Sequence, residues 1–183
     1  MRVNVLALSL VALVACAARS QTPTDGHTEA NAYVNSYFHI SYAWPKFLRP
    51  YDVSSLRLPT QSPYANEFLL FSARQGDEPF GVVMVAERLN ARTPHSSGFK
   101  DGADFIDKVA QFPPQEHATI QARKHFANPE GLIFDELDYS DNGAPSSAIA
   151  AQVGQFLIVF KCSAKSPADL AVMIQSAISL HRR

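Results

Sequence analysis

Three stretches of this chain put apolar residues on both faces of an extended strand, and few architectures accommodate that. In residues 68–74 one row holds Phe68 and Leu70, and the other holds Leu69, Phe71 and Ala73. Residues 80–88 (FGVVMVAER) and 156–160 (FLIVF) behave the same way. A strand that is apolar on both sides needs cover on both sides. Short turn-like segments border these stretches. Residues 75–79 join the first two, and Gly154-Gln155 joins 147–153 to 156–162. Loops this short connect antiparallel neighbours, and a Gly-first two-residue loop suits a type II′ hairpin. Segments 118–126 and 132–139 flank another turn signal, Asn128-Pro129-Glu130-Gly131. The fold class expected is α+β, an antiparallel sheet flanked by helices as an α/β/α sandwich.

Two helices are legible as the cover. Asp101 is placed to cap one that runs to Phe112, with Asp104 at N3 in the positive first turn. Its apolar face is Phe105, Ile106, Val109 and Phe112, and Pro113-Pro114 ends it. The last helix opens at Ser166 as N-cap, with Pro167 at N1 and Asp169 at N3. Leu170, Met173, Ile174, Ala177 and Ile178 recur at helical spacing. His181, Arg182 and Arg183 then sit where a helix dipole favours cations. Nearer the start, Phe38, Ile40, Tyr42 and Trp44 alternate with His39, Ser41 and Ala43, a strand ended by Pro45.

The beginning of the chain reads as an address. Arg2 is the only charge before an apolar run over 3–15, interrupted by Asn4 and Ser9. A membrane span needs roughly 20 such residues, so the run suits a secretory signal instead. It ends Leu13-Val14-Ala15-Cys16, the pattern of a bacterial lipobox. There the Cys16 thiol accepts a diacylglycerol, and the small Ala15 admits the signal peptidase. The competing reading is cleavage at Ala15-Cys16-Ala17 or Ala18-Arg19-Ser20, which leaves a secreted or periplasmic protein. Residues 17–30 (AARSQTPTDGHTEA) lack any large apolar side chain. The organisation expected is a signal peptide over 1–15, a flexible tether over 16–30 and one domain over 31–183. The membrane is then a partner through the N-terminal lipid.

The order of these segments carries a resemblance. Asn35-Ser36-Tyr37-Phe38-His39-Ile40-Ser41-Tyr42 runs into Pro45, and hairpins and an internal helix follow. Phe156-Leu157-Ile158-Val159-Phe160, Ser166-Pro167-Ala168-Asp169-Leu170 and Ser176-Ala177-Ile178-Ser179-Leu180 close the chain. Over roughly residues 32–181 this resembles the PsbP-like family, and the resemblance implies an antiparallel sheet between helices. Many bacterial members are envelope lipoproteins, and plant members assist a photosynthetic metal centre. No residue here matches a binding motif of that family, so the resemblance implies fold and localisation only.

Few chemistries find a motif. Over 183 residues, 16 Lys+Arg face 17 Asp+Glu, and a net charge of −1 excludes the basic footprint of a nucleic-acid binder. Two Cys make neither a disulfide scaffold nor a Cys-based zinc site. There is no G-x-S-x-G, P-loop or G-x-G-x-x-G. The six His (27, 39, 95, 117, 125 and 181) form neither H-x-x-x-H nor H-x-H and read as surface or half-buried residues. Cys162 reads as a small buried residue. No catalytic residue, metal ligand or cofactor is therefore assigned.

Two constellations remain. The acidic run Asp135-Glu136-Leu137-Asp138 is the alternative, a metal-assisted enzyme using Asp135, Glu136 and Asp138. Against it stands cross-strand pairing. In a simple hairpin Phe126 faces Ile133, Lys124 faces Asp135 and Arg123 faces Glu136. Asp138, Ser140, Asn142 and Gly143 match the opening of a calcium loop, but Ile149 stands where a Glu belongs and Asn142-Gly143 signals a hairpin turn. The second constellation is aromatic. Phe38, Tyr42 and Trp44 read as interior. Tyr33, Tyr37, Phe47, Tyr51 and Tyr64, in a stretch broken by prolines, are the candidate binding surface, with core packing as the competing reading. The expectation is a lipid-anchored, non-enzymatic envelope domain that binds a protein or small ligand, or else a purely structural assembly protein.

Overall fold

The computed structural model describes residues 21–52, 66–91, 98–111 and 118–183. The signal segment, Cys16, Tyr64, His95, His117 and residues 112–114 lie outside the described residues. In chain order the strands are β1 (Gly26–Glu29), β2 (Ala32–Asn35), β3 (Ile40–Ala43), β4 (Arg49–Pro50), β5 (Glu67–Arg74) and β6 (Gly81–Arg88). Helix α1 (Gly102–Gln111) precedes β7 (Thr119–Ala127), β8 (Ile133–Asp141), β9 (Ala144–Val153) and β10 (Phe156–Ser163). Helix α2 (Pro167–Ile178) and β11 (His181–Arg182) complete the chain. Among the described residues no helix is long and apolar enough to cross a membrane.

The double-faced strands do form the middle layer. A seven-stranded antiparallel sheet has the order β4-β5-β6-β10-β9-β8-β7. Helix α1 covers one face, where Phe105 and Ile106 pack on Val85, Leu137, Ala148, Ala150, Leu157 and Val159. The other face carries α2 together with a second sheet, β1-β2-β3-β11. There Tyr42 and Trp44 contact Phe71, and Tyr42 also contacts Phe160. The expected cover is helical on both faces, and on this one the second sheet joins the helix.

Two boundaries differ from expectation for identifiable reasons. Strand β1 lies inside the stretch read as tether, paired with β2 from Gly26↔Asn35 to Glu29↔Ala32. Its Gly26 has no side chain because the Tyr33 ring fills that space, with the hydroxyl 1.9 Å from where a Cβ would stand. At the other end the basic residues do not extend α2. The helix stops at Ile178, Ser179 caps it, and His181 and Arg182 pair with Ser41 and Ile40 of β3. Leu180 is fully buried, and burying it turns the chain out of the helix and onto the small sheet. The start of α2 follows expectation: Ser166 Oγ accepts a hydrogen bond from Asp169 N at 3.1 Å.

Candidate functional site at the start of the first helix

Helix α1 opens as its sequence dictates. The Asp101 carboxylate accepts from Asp104 N at 2.8 Å, and the Asp104 carboxylate accepts from Lys100 N at 3.0 Å. The opening turn lies against Asp135 of β8. A Cβ on Gly102 would stand 2.4 Å from Asp135 Oδ2, so only glycine lets helix and carboxylate approach this closely. Asp135 is largely covered, and its Oδ1 lies 2.7 Å from Nδ1 of the exposed His125. A carboxylate only accepts, so Nδ1 carries the proton of this bond.

These groups border an open cleft of about 550 Å³. Ile133, Gln152 and Arg182 complete its working rim, and Ile133 is 46% exposed. Arg182 comes from the far end of the chain. Its backbone N–H donates to Glu130 Oε2 at 2.9 Å, which brings β11 beside the β7–β8 loop. Nothing in the local sequence around Arg182 places it here, because its neighbours in the cleft come from β7, β8, β9 and the start of α1.

The acidic run divides between the two faces of the sheet. Asp135 faces α1, whereas Glu136 and Asp138 flank the inward-facing Leu137 and point the other way, as a strand's period of two requires. Lys124 Nζ donates to Glu136 Oε1 at 2.6 Å and to Asp138 Oδ2 at 2.7 Å. Arg123 pairs with Asp107 of α1. The three carboxylates thus never converge, and an ammonium already bridges two of them, which corrects the metal-assisted alternative. Among the described residues no three His, Cys, Asp or Glu side chains are grouped to hold a metal ion. The fit of opposite charges across strands was expected, but in another register. His125 faces Asp135, Lys124 faces Glu136, and Phe126 faces Phe134. Ala127 pairs with Ile133, so Leu132 belongs to the loop. The cause is Asn128, whose Oδ1 accepts from Glu130 N and Leu132 N at 3.0 Å and so draws one more residue into the turn.

Burial raises the Glu136 pKa, opposed by the Lys124 bond and supported by the Asp138 charge. Desolvation lowers the Lys124 pKa, but its bonds to Asp138 and Glu136 outweigh that and raise it. Cys162 is buried, and burial above all pushes its thiol up to about 12. It is an inert core residue at neutral pH.

The early aromatics separate by depth. Tyr33 is buried and accepts from Asn35 Nδ2 at 2.9 Å, so it cannot belong to a contact surface. Phe38, Tyr42 and Trp44 are interior as expected. Tyr37 and Phe47 are partly buried against the core, with the Tyr37 ring edge-on to Phe38 and Phe156. Tyr51 is exposed under the Arg74 guanidinium, 4.5 Å from the ring centre.

With this geometry in hand, the architecture has a counterpart among solved structures. It is similar to the solution structure of cyanobacterial PsbP (CyanoP) from Synechocystis sp. PCC 6803, with a TM-score of 0.56 and 15% identity. The match covers 86% of this chain and 96% of that one. The fold is PsbP-like. No family model matches the chain, and no curated protein does.

Proposed function

We propose that the protein is exported, anchored through a lipid on Cys16, and works in the cell envelope as a non-enzymatic domain that holds a protein partner at the cleft beside α1. The observation that carries this reading is Ile133, an apolar side chain exposed in a cleft that Arg182 also lines. Apolar exposure beside an arginine is the composition of a contact surface. His125 adds a ring fixed by Asp135, so little order remains to be imposed when a partner arrives. The anchor suits such a role. Strand β1 begins at Gly26, so the stretch from Cys16 reaches at most about 35 Å from the bilayer. Tyr37, Phe47, Tyr51 and Tyr64 belong to the same proposal as a second contact surface.

The test uses the full chain in its native envelope. Palmitate labelling should vanish in Cys16→Ala, and unchanged labelling discards the anchor. A photo-crosslinking residue at position 133 should capture a protein that Ile133→Asp no longer retains. Capture from position 51 and not from 133 moves the site to the aromatic surface. Capture from neither position ends the binding reading.

A further inference from the structure

Lys124 of β7 reaches over the edge of the large sheet to two carboxylates that share one face of β8. Glu136, 2% exposed, is the deep member, and Asp138 is only partly exposed. The three ionised side chains sum to one negative charge. Among the described residues that face them, on β9, β10, α2 and β3, none supplies the missing positive charge. On β9, Ile149 stands opposite Glu136 and Ser147 opposite Asp138. On β10 the neighbour of Ser147 is Cys162, a thiol. The one charged side chain of α2 is Asp169, which is occupied at its own N-cap with Ser166. The facing strand β3 carries no charged residue.

Two further atoms mark the same spot. Asp138 Oδ1 and Ser147 Oγ are buried with no hydrogen-bond partner among the described residues, on directly opposed residues of neighbouring strands. A buried acceptor without a donor costs about 1–3 kcal/mol, and more when the group is charged. An uncompensated charge in such a place is relieved most simply by taking up a cation.

We propose that Glu136 and Asp138 form a proton-binding site, in which one proton is held between the two carboxyl groups while Lys124 binds their other side. The proton bonds covalently to one carboxylate oxygen of Glu136 and is donated to Asp138. Lys124 stays charged and bonded to both. Burial of Glu136 and the charge of Asp138 both favour this state. The site takes no part in the proposed contact surface, since it opens on the opposite face of β8 from the cleft.

The sign follows from linkage. A carboxyl that keeps its proton in the folded state and releases it on unfolding stabilises the fold below the ordinary glutamate range. That contribution is lost as pH rises through the folded-state value. Glu136→Gln keeps the shape and the donor but has no proton to lose. The stability of Glu136→Gln relative to the parent chain should therefore rise from about pH 4.5 upward and then level off. Glu87 would titrate over the same range, because burial and the opposed Glu67 push it up to about 7. Both chains are therefore compared in a Glu87→Gln background. Infrared difference spectra should show a protonated-carboxyl band that persists above the ordinary glutamate range and that Glu136→Gln removes, and Lys124→Met should carry that band to higher pH. A band absent in the parent, or a stability difference that ignores pH, overturns the proposal. Loss of the band on adding magnesium or calcium also overturns it, by making a metal ion the counter-charge.

Discussion

Strand β8 takes part in two hairpins, and they are held by different means. The β8–β9 hairpin turns on Asn142-Gly143, both with positive φ (49° and 82°), between the paired residues Asp141 and Ala144. This is the type I′ turn that an Asn-Gly pair favours. Nothing lies within 4 Å of the place a Gly143 side chain would take. The β7–β8 hairpin is tied from outside. Asn128 Nδ2 donates to Ile178 O at 3.1 Å and to Leu180 O at 3.2 Å, while its Oδ1 organises the loop. Glu130 bonds His181 and the Arg182 backbone. One turn is a local solution. The other is a clasp between the sheet edge and the C-terminal strand.

The largest expected effect is at the clasp. Asn128→Ala removes four hydrogen bonds and leaves buried backbone groups of the loop and of the α2 exit unpaired. At about 1 kcal/mol each, the loss should approach about 3–4 kcal/mol. Urea unfolding measures it, and amide exchange should rise both at Leu132 and at Leu180. If exchange rises in the loop alone, the link to the C-terminus is not what secures it. Gly143→Ala should cost less, on the order of 1–2 kcal/mol, because the strain is confined to one left-handed residue. Its exchange changes should stay within the β8–β9 turn. A loss larger than that of Asn128→Ala reverses the comparison.

The smallest effect concerns pH. His181 and the Arg182 backbone hold the Glu130 carboxyl below the usual glutamate range. Its contribution is therefore complete above the ordinary glutamate pKa and is lost as pH falls through the lowered value. Acidification should loosen the β7–β8 loop before the β8–β9 turn, and Glu130→Gln should remove the difference. Side-chain NMR of the two loops across that range reads the order directly. Simultaneous loosening removes Glu130 from the account.

The register of β7 on β8 shows where sequence reasoning lost its hold. The charge pattern is plain in the sequence: Arg123, Lys124 and His125 on one segment and three acids on the other. Which cation meets which acid depends on whether the loop holds four residues or five. Asn128 decides that with its side chain, anchored to carbonyls fifty and fifty-two positions away. The cleft shows the same limit. Asp101 and Asp104 are legible as a helix start. Gly102 is legible only once Asp135 is known to lie above it, and Arg182 only once β11 is known to turn onto β3. Tyr33 and Tyr51 are chemically equal in the sequence, yet one is buried beneath β1 and the other lies open beside Arg74.

Period, cap and turn were written in the chain itself, because each depends on residues a few positions apart. Apolar rows on both sides of 68–74, 80–88 and 156–160 demanded a covered antiparallel sheet, and Ser166-Pro167 had to begin a helix. Tertiary structure alone decided what lies on each face: a second sheet beside α2, a lysine bridging two of the three acids, and a cleft assembled from β7, β8, β9, α1 and the last residues. Those are contacts across long loops, where burial and hydrogen bonding over distance outweigh local preference.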